Sequence, residues 1–379
     1  MDKKFFLILS ASGGAGHLRA AEGLHQAARR ASVPIRTVHH DVLDFTSKAF
    51  KRLYAESYLN VVNKAPELWG YLYQQSESKP YRKAGLLKAF DRLNYKRYVQ
   101  SLREINADAI ICTHFLPFVS ISDIVRKEGI QTPFFAATTD FDIHQLWVDP
   151  IVRRYYVYHE ESAWQLQSKD VARERIVVKG IPLMPEFSTK QAKSASQKRL
   201  GIPADRFTVL VLSGGFGVGR IEDIVDHTAT TLASFAPRRF TMLVVCGRNE
   251  KAKALLAKQP EPTNVERRIY GFVDNIHEMM DASDVLISKS GGLTSAEAMA
   301  KRLPLIVVDP IPGQESRNAD IIVEHGAGWK AIDLANLSYK LHSVLKNPKI
   351  LAHAQRATAL LAKPNAAVDI LEDVYKFLN

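Results

Sequence analysis

Cysteine is scarce in this chain of 379 residues: only Cys112 and Cys246 occur, far apart and each in an apolar stretch. Two such residues argue against a disulfide framework and against a zinc site, and they suit a reducing cytosol. Long apolar runs are also missing, since none approaches the roughly 20 residues that cross a bilayer. The apolar run after Lys3 and Lys4 is short and leads into a glycine-rich turn, so it predicts a first strand and not a signal peptide.

Length and composition favour two globular domains. The chain exceeds the usual size of one domain, its hydrophobic fraction of 46% can supply real cores, and no segment is of low complexity. A convincing Asp-x-Asp metal motif is absent, and His114, Asp140 and His144 lack the close paired spacing of metal ligands. We therefore expect no metal ion and no other cofactor in the chemistry.

Positive charge is in excess and unevenly distributed. The net charge is +11, and residues 45–104 hold twelve Lys and Arg against five Asp and Glu, with eleven of the 34 aromatic residues. Basic and apolar residues at helical spacing are typical of a helix in a lipid headgroup layer, although a solvated face over an aromatic core gives the same pattern. A nucleic-acid-binding protein would also explain the charge, but it would not require the glycine-rich turns described next. The candidate membrane contacts here are Lys48, Lys51, Arg52, Trp69, Arg82 and Lys83.

A glycine-rich strand-to-helix turn in the C-terminal half organises the sequence. The apolar run Val285–Ile287 predicts a buried strand, and Gly291 and Gly292 follow where a helix must begin. Such a helix start exposes backbone N–H groups at the positive end of the helix dipole, which suits a diphosphate. Glu297 lies about one turn into that helix. The simpler alternative is an ordinary turn of an α/β domain.

A similar turn lies near the N-terminus. The run Phe5–Leu9 predicts a strand, and the glycine-rich turn after it ends at His17, just where a helix begins. A polar helix cap is the alternative role for this histidine. The run Pro133–Ala137 predicts another strand, which ends shortly before Asp140. Because ligands bind outside the carboxyl ends of the strands in open α/β sheets, we expect these polar residues to mark one edge of a site.

Together these motifs resemble glycosyltransferase family 28, which holds the lipid II N-acetylglucosaminyltransferases and the diacylglycerol glycosyltransferases. The C-terminal block resembles the nucleotide-sugar signature of that family. The N-terminal turn ends in Gly-His, as in the diacylglycerol enzymes, and residues 138–150 resemble those enzymes too. The resemblance implies the GT-B fold, an α/β architecture of two Rossmann-like domains facing across a cleft.

The resemblance also implies a division of the chain into three parts. Residues 1–182 would form the acceptor- and membrane-binding domain, and residues 197–363 would form the UDP-sugar-binding domain. Residues 364–379 would form a last helix that packs back on the N-terminal domain.

On the donor side, the resemblance assigns the turn Ser290–Thr294 to the diphosphate and Glu297 to the ribose. Gln314 and Glu315 would meet the hexose hydroxyls. The main chain at Phe272 and Val273 would read the uracil edge. The donor-binding residues are thus expected to be Gly214, Gly215, Phe272, Val273, Ser290, Gly291, Gly292, Thr294, Glu297, Gln314 and Glu315.

On the acceptor side, His17 would deprotonate the acceptor hydroxyl, with Asp140 as the second choice of base or as its orienting partner. His144 and Trp147 would contribute to acceptor binding. The reaction implied is inverting transfer of glucose or galactose from a UDP-sugar to diacylglycerol, by a cytoplasmic protein held peripherally on the anionic inner face of the membrane. No nucleic acid is expected as a partner. A lipid II-type N-acetylglucosaminyltransferase is the alternative, and whether transfer is single or processive is open.

Overall fold

The computed structural model describes residues 3–12, 14–48, 51–52, 97–204, 206–213 and 220–379. The chain forms two compact units. One contains Met1–Pro185, Pro312–Gln314 and Asn365–Asn379, and the other contains Glu186–Ile311 and Glu315–Pro364. The end of the chain therefore belongs with the N-terminal unit.

The N-terminal unit is built on a six-stranded parallel sheet of order β2-β1-β3-β4-β5-β6. The inner strand β1 is buried from Phe6 to Ser10, as expected where helices cover both faces of a parallel sheet. The strands are β1 (Lys4–Ser10), β2 (Ile35–Asp41), β3 (Ala109–Cys112), β4 (Phe134–Ala137), β5 (Val152–Val157) and β6 (Ile176–Val178).

Helices pack on both faces of this sheet. On one face, Leu24 of the first helix and Leu371 of the last helix share a core with Phe6 and Phe135. The last helix is also held by Asp373, which accepts hydrogen bonds from Arg154 at 2.7 Å and Tyr156 at 2.8 Å. The helices are Ala15–Ala27, residues 97–105, Leu116–Val119, Ser122–Lys127, Glu160–Gln167 and Ala366–Phe377, with 3₁₀ turns at Val42–Phe45, Gln145–Trp147 and Arg173–Arg175.

The C-terminal unit contains a second six-stranded parallel sheet, of order β12-β11-β10-β7-β8-β9. Its inner strands are mostly apolar, and β8 is buried at every position. The strands are β7 (Phe207–Leu212), β8 (Phe240–Val245), β9 (Val265–Tyr270), β10 (Val285–Ser288), β11 (Leu305–Val307) and β12 (Gly328–Lys330).

In the described chain, eight helices lie between residues 193 and 361. The apolar face of Ile221–Ala233 packs with that of Leu334–Lys346 on the sheet. The helices are Lys193–Arg199, Ile221–Ala233, Glu250–Leu256, Ile276–Ala282, Gly292–Ala300, Gln314–Glu324, Leu334–Lys346 and Pro348–Leu361, and a 3₁₀ turn spans Pro185–Phe187.

Each sheet has one point at which the strand order reverses. In the N-terminal sheet the chain runs from β1 outward to β2 and then returns to β3 on the other side of β1. In the C-terminal sheet the same reversal separates β7 from β10. Ligands of open α/β sheets bind outside the carboxyl ends of the strands at such points. The predicted pair of Rossmann-like units is confirmed.

A buried ion pair fastens the start of the C-terminal unit. The Lys301 ammonium donates to Asp281 at 2.9 Å and to the main-chain oxygens of Glu186 and Thr189 at 2.9 and 2.6 Å. The two charged side chains are only 1% and 0% exposed. Because three acceptors surround the ammonium group, its burial is compensated, and the segment at residues 186–189 is tied to the helix Gly292–Ala300.

We predict that Lys301→Met lowers the free energy of unfolding by about 3–5 kcal/mol, because the substitution leaves the Asp281 carboxylate buried with its main partner gone. Calorimetric unfolding of both proteins at neutral pH measures the difference. Lys330→Met is the matched control, since Lys330 pairs with Asp320 at side-chain exposures of 32% and 57%. A surface pair of that kind contributes at most about 1 kcal/mol. Equal losses in the two variants would contradict the importance of the buried pair.

Candidate functional site

His17 lies at the switch point of the N-terminal sheet. It is the third residue of the helix Ala15–Ala27, which follows β1 after the glycine-rich turn. Its Nδ1 is 2.9 Å from the main-chain oxygen of Thr113, just beyond β3, and 2.9 Å from Thr139 Oγ1, beyond β4. The ring of His114 meets it edge-on with centroids 4.4 Å apart. Three strand ends thus converge on this imidazole.

Both histidines of this cluster are neutral near pH 7. Burial lowers the pKa of His17 to about 4, although the hydrogen bond to the Thr113 carbonyl opposes the change. Burial, with a smaller contribution from His17, lowers the pKa of His114 well below its usual value. A neutral imidazole can accept a proton, so the state of His17 suits a general base.

The other acceptor-side candidates follow β4. Asp140 is buried, and its Oδ2 accepts a hydrogen bond at 2.5 Å from Gln314, which clusters with this unit. His144 caps the turn Gln145–Trp147 by accepting from the Leu146 N–H at 3.1 Å. Trp147 is 3% exposed and packs in the core beside Phe118. In this geometry Trp147 does not present its ring at the surface.

Of the predicted membrane contacts, Lys48, Lys51 and Arg52 belong to the described residues, and Trp69, Arg82 and Lys83 lie outside them. Lys48 and Arg52 are exposed. The Lys51 ammonium lies 2.5 Å from Asp44 and 3.4 Å from Asp41. Its charge is therefore partly neutralised within the protein.

The predicted diphosphate turn follows β10 as expected from its sequence. Gly291 is the N-cap of the helix Gly292–Ala300, and within the described chain no side chain caps this end. A Cβ added at Gly291 would lie 3.5 Å from Glu315 Oε1, which is an ordinary contact distance. Ser290 fixes the turn through two hydrogen bonds. Its hydroxyl donates to the main-chain oxygen of Glu315 at 2.6 Å, and its own main-chain oxygen accepts from the Asn318 side chain at 3.0 Å.

Of the two carboxylates predicted on the donor side, Glu297 is buried and Glu315 is half-buried. Glu297 lies in the second turn of the helix and is 5% exposed, while Thr294 in the first turn is half-buried. Glu315 accepts from the Ile311 N–H at 2.8 Å. Burial raises the pKa of Glu315, and that hydrogen bond and the charge of Lys289 oppose the change.

The remaining donor candidates lie at other strand ends. Phe272 and Val273 come just after β9, and the Phe272 side chain is 62% exposed. Gly214 and Gly215 lie outside the described residues.

Two cations at the switch point of the C-terminal sheet, Arg220 and Lys289, were not predicted from the sequence. A small pocket at the ends of β7, β10 and β11 is lined by Ser213, Arg220, Lys289 and Asp309 with apolar neighbours. Arg220 donates to Asp309 at 2.8 and 3.3 Å. Lys289 directly precedes the Ser-Gly-Gly turn and Arg220 directly follows the other glycine-rich loop, so position beside a glycine-rich turn was the available signal. A diphosphate bound at the helix start would meet positive charge here.

No group of three or more His, Cys, Asp or Glu side chains in the described part of the chain could hold a metal ion.

Comparisons with known proteins connect this geometry to chemistry. Residues 17–183 match the family described as Monogalactosyldiacylglycerol (MGDG) synthase, and residues 208–373 match the Glycosyltransferase family 28 C-terminal domain. The chain is similar to a Processive diacylglycerol beta-glucosyltransferase of Bacillus cytotoxicus, with 28% identity over 97% of this chain and 92% of that protein.

Solved structures with the same fold include Acinetobacter baumannii MurG, with a TM-score of 0.66, 13% identity and coverage of 98% of this chain and 99% of that one. They also include CalG4, the Calicheamicin glycosyltransferase, with a TM-score of 0.62, 15% identity and 98% coverage of both chains. Identities this low establish the fold alone. The predicted GT-B class is thereby confirmed.

We predict that Lys289→Met weakens binding of UDP by at least about tenfold and leaves binding of uridine unchanged. Hydrogen bonds to charged groups contribute roughly 1.5–3 kcal/mol, and uridine has no phosphate for the lysine to meet. Isothermal titration of both ligands measures the two affinities.

Glu297→Ala provides the comparison, because loss of a ribose contact would weaken the binding of UDP and of uridine alike. Lys258→Met, at an exposed position away from the strand ends, serves as the charge-matched control. Equal losses for UDP and uridine in Lys289→Met would contradict a phosphate contact.

Proposed function

Because the chain belongs to glycosyltransferase family 28, we propose that it transfers a hexose from a UDP-sugar to diacylglycerol or to a related glycolipid. One observation carries this proposal: the match to the MGDG synthase family runs from residue 17 to residue 183 and so includes His17, Asp140 and Trp147. The name of the Bacillus relative supports a glucosyl donor, and that of the matched family supports a galactosyl donor.

The donor is proposed to bind on the C-terminal unit. The open N-terminus of the helix Gly292–Ala300 and the Lys289 ammonium supply positive charge for the diphosphate. Glu297, one turn further on, would accept hydrogen bonds from the ribose hydroxyls. Positive charge at this place would stabilise UDP as it leaves, so the proposal needs no metal ion.

The acceptor hydroxyl is proposed to be activated by His17. Its oxygen attacks the anomeric carbon in line with the bond to UDP, a new C–O bond forms, and UDP departs with the electron pair of the broken bond. The hydroxyl proton passes to the unprotonated ring nitrogen of His17, and the anomeric centre is inverted. Asp140, a buried residue that directly follows Thr139 beyond β4, is the second candidate for the base.

The rival acceptor is the lipid carrier of cell-wall synthesis, as in lipid II-type N-acetylglucosaminyltransferases. MurG shares the fold with this chain at only 13% identity. The Bacillus diacylglycerol glucosyltransferase is twice as similar in sequence over nearly the full length. Sequence similarity therefore favours diacylglycerol.

We predict that the purified protein converts diacylglycerol to a glycolipid with UDP-glucose or UDP-galactose, and that His17→Ala lowers turnover by about 10²–10⁴-fold, the usual contribution of a general base. Thin-layer chromatography and mass spectrometry of the lipids identify donor, acceptor and number of sugars added. UDP affinity should be unchanged in the variant.

The control is His25→Ala on the same helix, where His25 bonds Thr37 on β2 at 2.8 Å. Its turnover should stay within a few-fold of wild type. Transfer from UDP-N-acetylglucosamine to a polyprenyl diphosphate acceptor, with none to diacylglycerol, would replace the proposal by its rival. Near-normal turnover of His17→Ala would shift the role of base to Asp140.

We further propose that the protein works at the inner face of the membrane as a peripheral protein. In the described parts of the chain, no helix is both long enough and apolar enough to span a bilayer. The basic excess of residues 45–104 supports electrostatic binding to anionic lipid.

Replacing Lys48, Arg52, Arg82 and Lys83 with Gln should release the protein from vesicles that contain anionic lipid. Each cation near such a surface contributes about 1 kcal/mol. Lys51→Gln should matter less, because Asp41 and Asp44 already compensate its charge. Vesicle sedimentation at low and high salt measures the binding.

The matched control removes the same charge elsewhere, by Gln at the exposed positions Lys251, Lys258, Lys346 and Lys349 of the C-terminal unit. That variant should bind anionic vesicles as wild type does. Equal partitioning of wild type onto anionic and neutral vesicles would contradict electrostatic docking.

A further inference from the structure

We propose that Thr139, together with the main chain of Thr113, is a positioning residue that holds His17 in the tautomer with the proton on Nδ1. Nε2 is then the nitrogen that takes the proton of the acceptor hydroxyl. The inference deepens the proposed transferase reaction and rests on it.

The tautomer follows from the chemistry of the two partners. A main-chain carbonyl oxygen can only accept a hydrogen bond, and the Thr113 oxygen lies 2.9 Å from His17 Nδ1. This contact therefore favours the tautomer with the proton on Nδ1. Thr139 Oγ1, also at 2.9 Å from Nδ1, accepts the same N–H in a shared hydrogen bond. The lone pair of the ring is thus on Nε2.

Thr113 also fixes the backbone of His17. Its hydroxyl donates to the His17 main-chain oxygen at 2.9 Å, and its own N–H donates to the Leu9 oxygen at 2.9 Å. Thr113 is completely buried and Thr139 nearly so. The imidazole is therefore held at its ring and at its main chain by residues that follow β3 and β4.

The orienting groups are neutral, which distinguishes this arrangement from the carboxylate that orients the base in a Ser-His-Asp triad. A carboxylate would stabilise the imidazolium and raise the pKa of the histidine. Here the titratable group in contact with the ring is His114, itself neutral. Nothing in this described contact set adds a negative charge, in agreement with the lowered pKa of His17.

Thr139→Val tests the proposal, since it removes the hydroxyl and keeps the shape. We expect kcat to fall about tenfold, which corresponds to about 1.4 kcal/mol of transition-state stabilisation. KM for the UDP-sugar and the affinity for UDP should not change. Thr139→Ser should restore kcat to within about twofold of wild type, because it returns the oxygen.

Nitrogen NMR of histidine-labelled protein reads the tautomer directly, with the His17 signals assigned by their loss in His17→Ala. Wild type should carry the proton on Nδ1, and Thr139→Val should populate both tautomers. Thr113→Val is the control for the ring contact, because it removes the Thr113 hydroxyl and leaves the carbonyl that bonds Nδ1. It should keep the wild-type tautomer.

A wild-type ring protonated on Nε2 would overturn the proposal whatever the activity. So would a Thr139→Val protein that loses turnover with the tautomer unchanged, since the threonine would then have only a structural role. Absence of transferase activity from wild type would instead remove the proposed function, and the NMR result would still decide the tautomer.

Discussion

Parallel pairing of strands is the constraint on which both candidate sites depend. It brings the carboxyl ends of six strands to one edge of each sheet, and the main-chain ladder continues one residue past the strands. Thus the Thr113 N–H donates to Leu9 at 2.9 Å, and the Val308 N–H donates to Ser288 at 3.0 Å. The residues that follow these bonds are therefore held in place by the sheet. His17 is held by residues that follow β3 and β4, far from it in sequence, and the turn at Ser290 is held by Glu315 and Asn318.

The two sheet edges differ in charge: the N-terminal edge has neutral histidines, and the C-terminal edge has positive charge. At the N-terminal edge, burial keeps His17 and His114 uncharged, because an ion out of water is costly without a partner. At the C-terminal edge, the positive end of the helix Gly292–Ala300 and the Lys289 ammonium lie together. Burial raises the pKa of Glu315, which lies beside the same turn. A histidine that acts as a base must be unprotonated, and so neutral, before it reacts, whereas a departing diphosphate is an anion throughout.

Much of the fold could be predicted from the sequence, because apolar runs and glycine-rich turns are local signals. The strands and the helix that begins beside Gly291 follow from such signals, and the GT-B class is confirmed. The contact of Thr139 with His17 joins residues 122 positions apart and leaves no local pattern. The pairing of Lys51 with Asp41 also depends on tertiary structure, as does the burial of Trp147. The roles of the individual site residues stay predictions, since no ligand contact tests them.

A base with a pKa of about 4 sets a condition on the proposed reaction. An alcohol is far too weak an acid to give up its proton to such a base in advance. The proton can move only as the new C–O bond forms and the oxygen becomes acidic. Bond formation in turn requires the diphosphate to leave, so the base and the stabilised leaving group must act in one concerted step. In the proposed reaction, the neutral partners of His17 and the positive charge near Lys289 would therefore serve the same step.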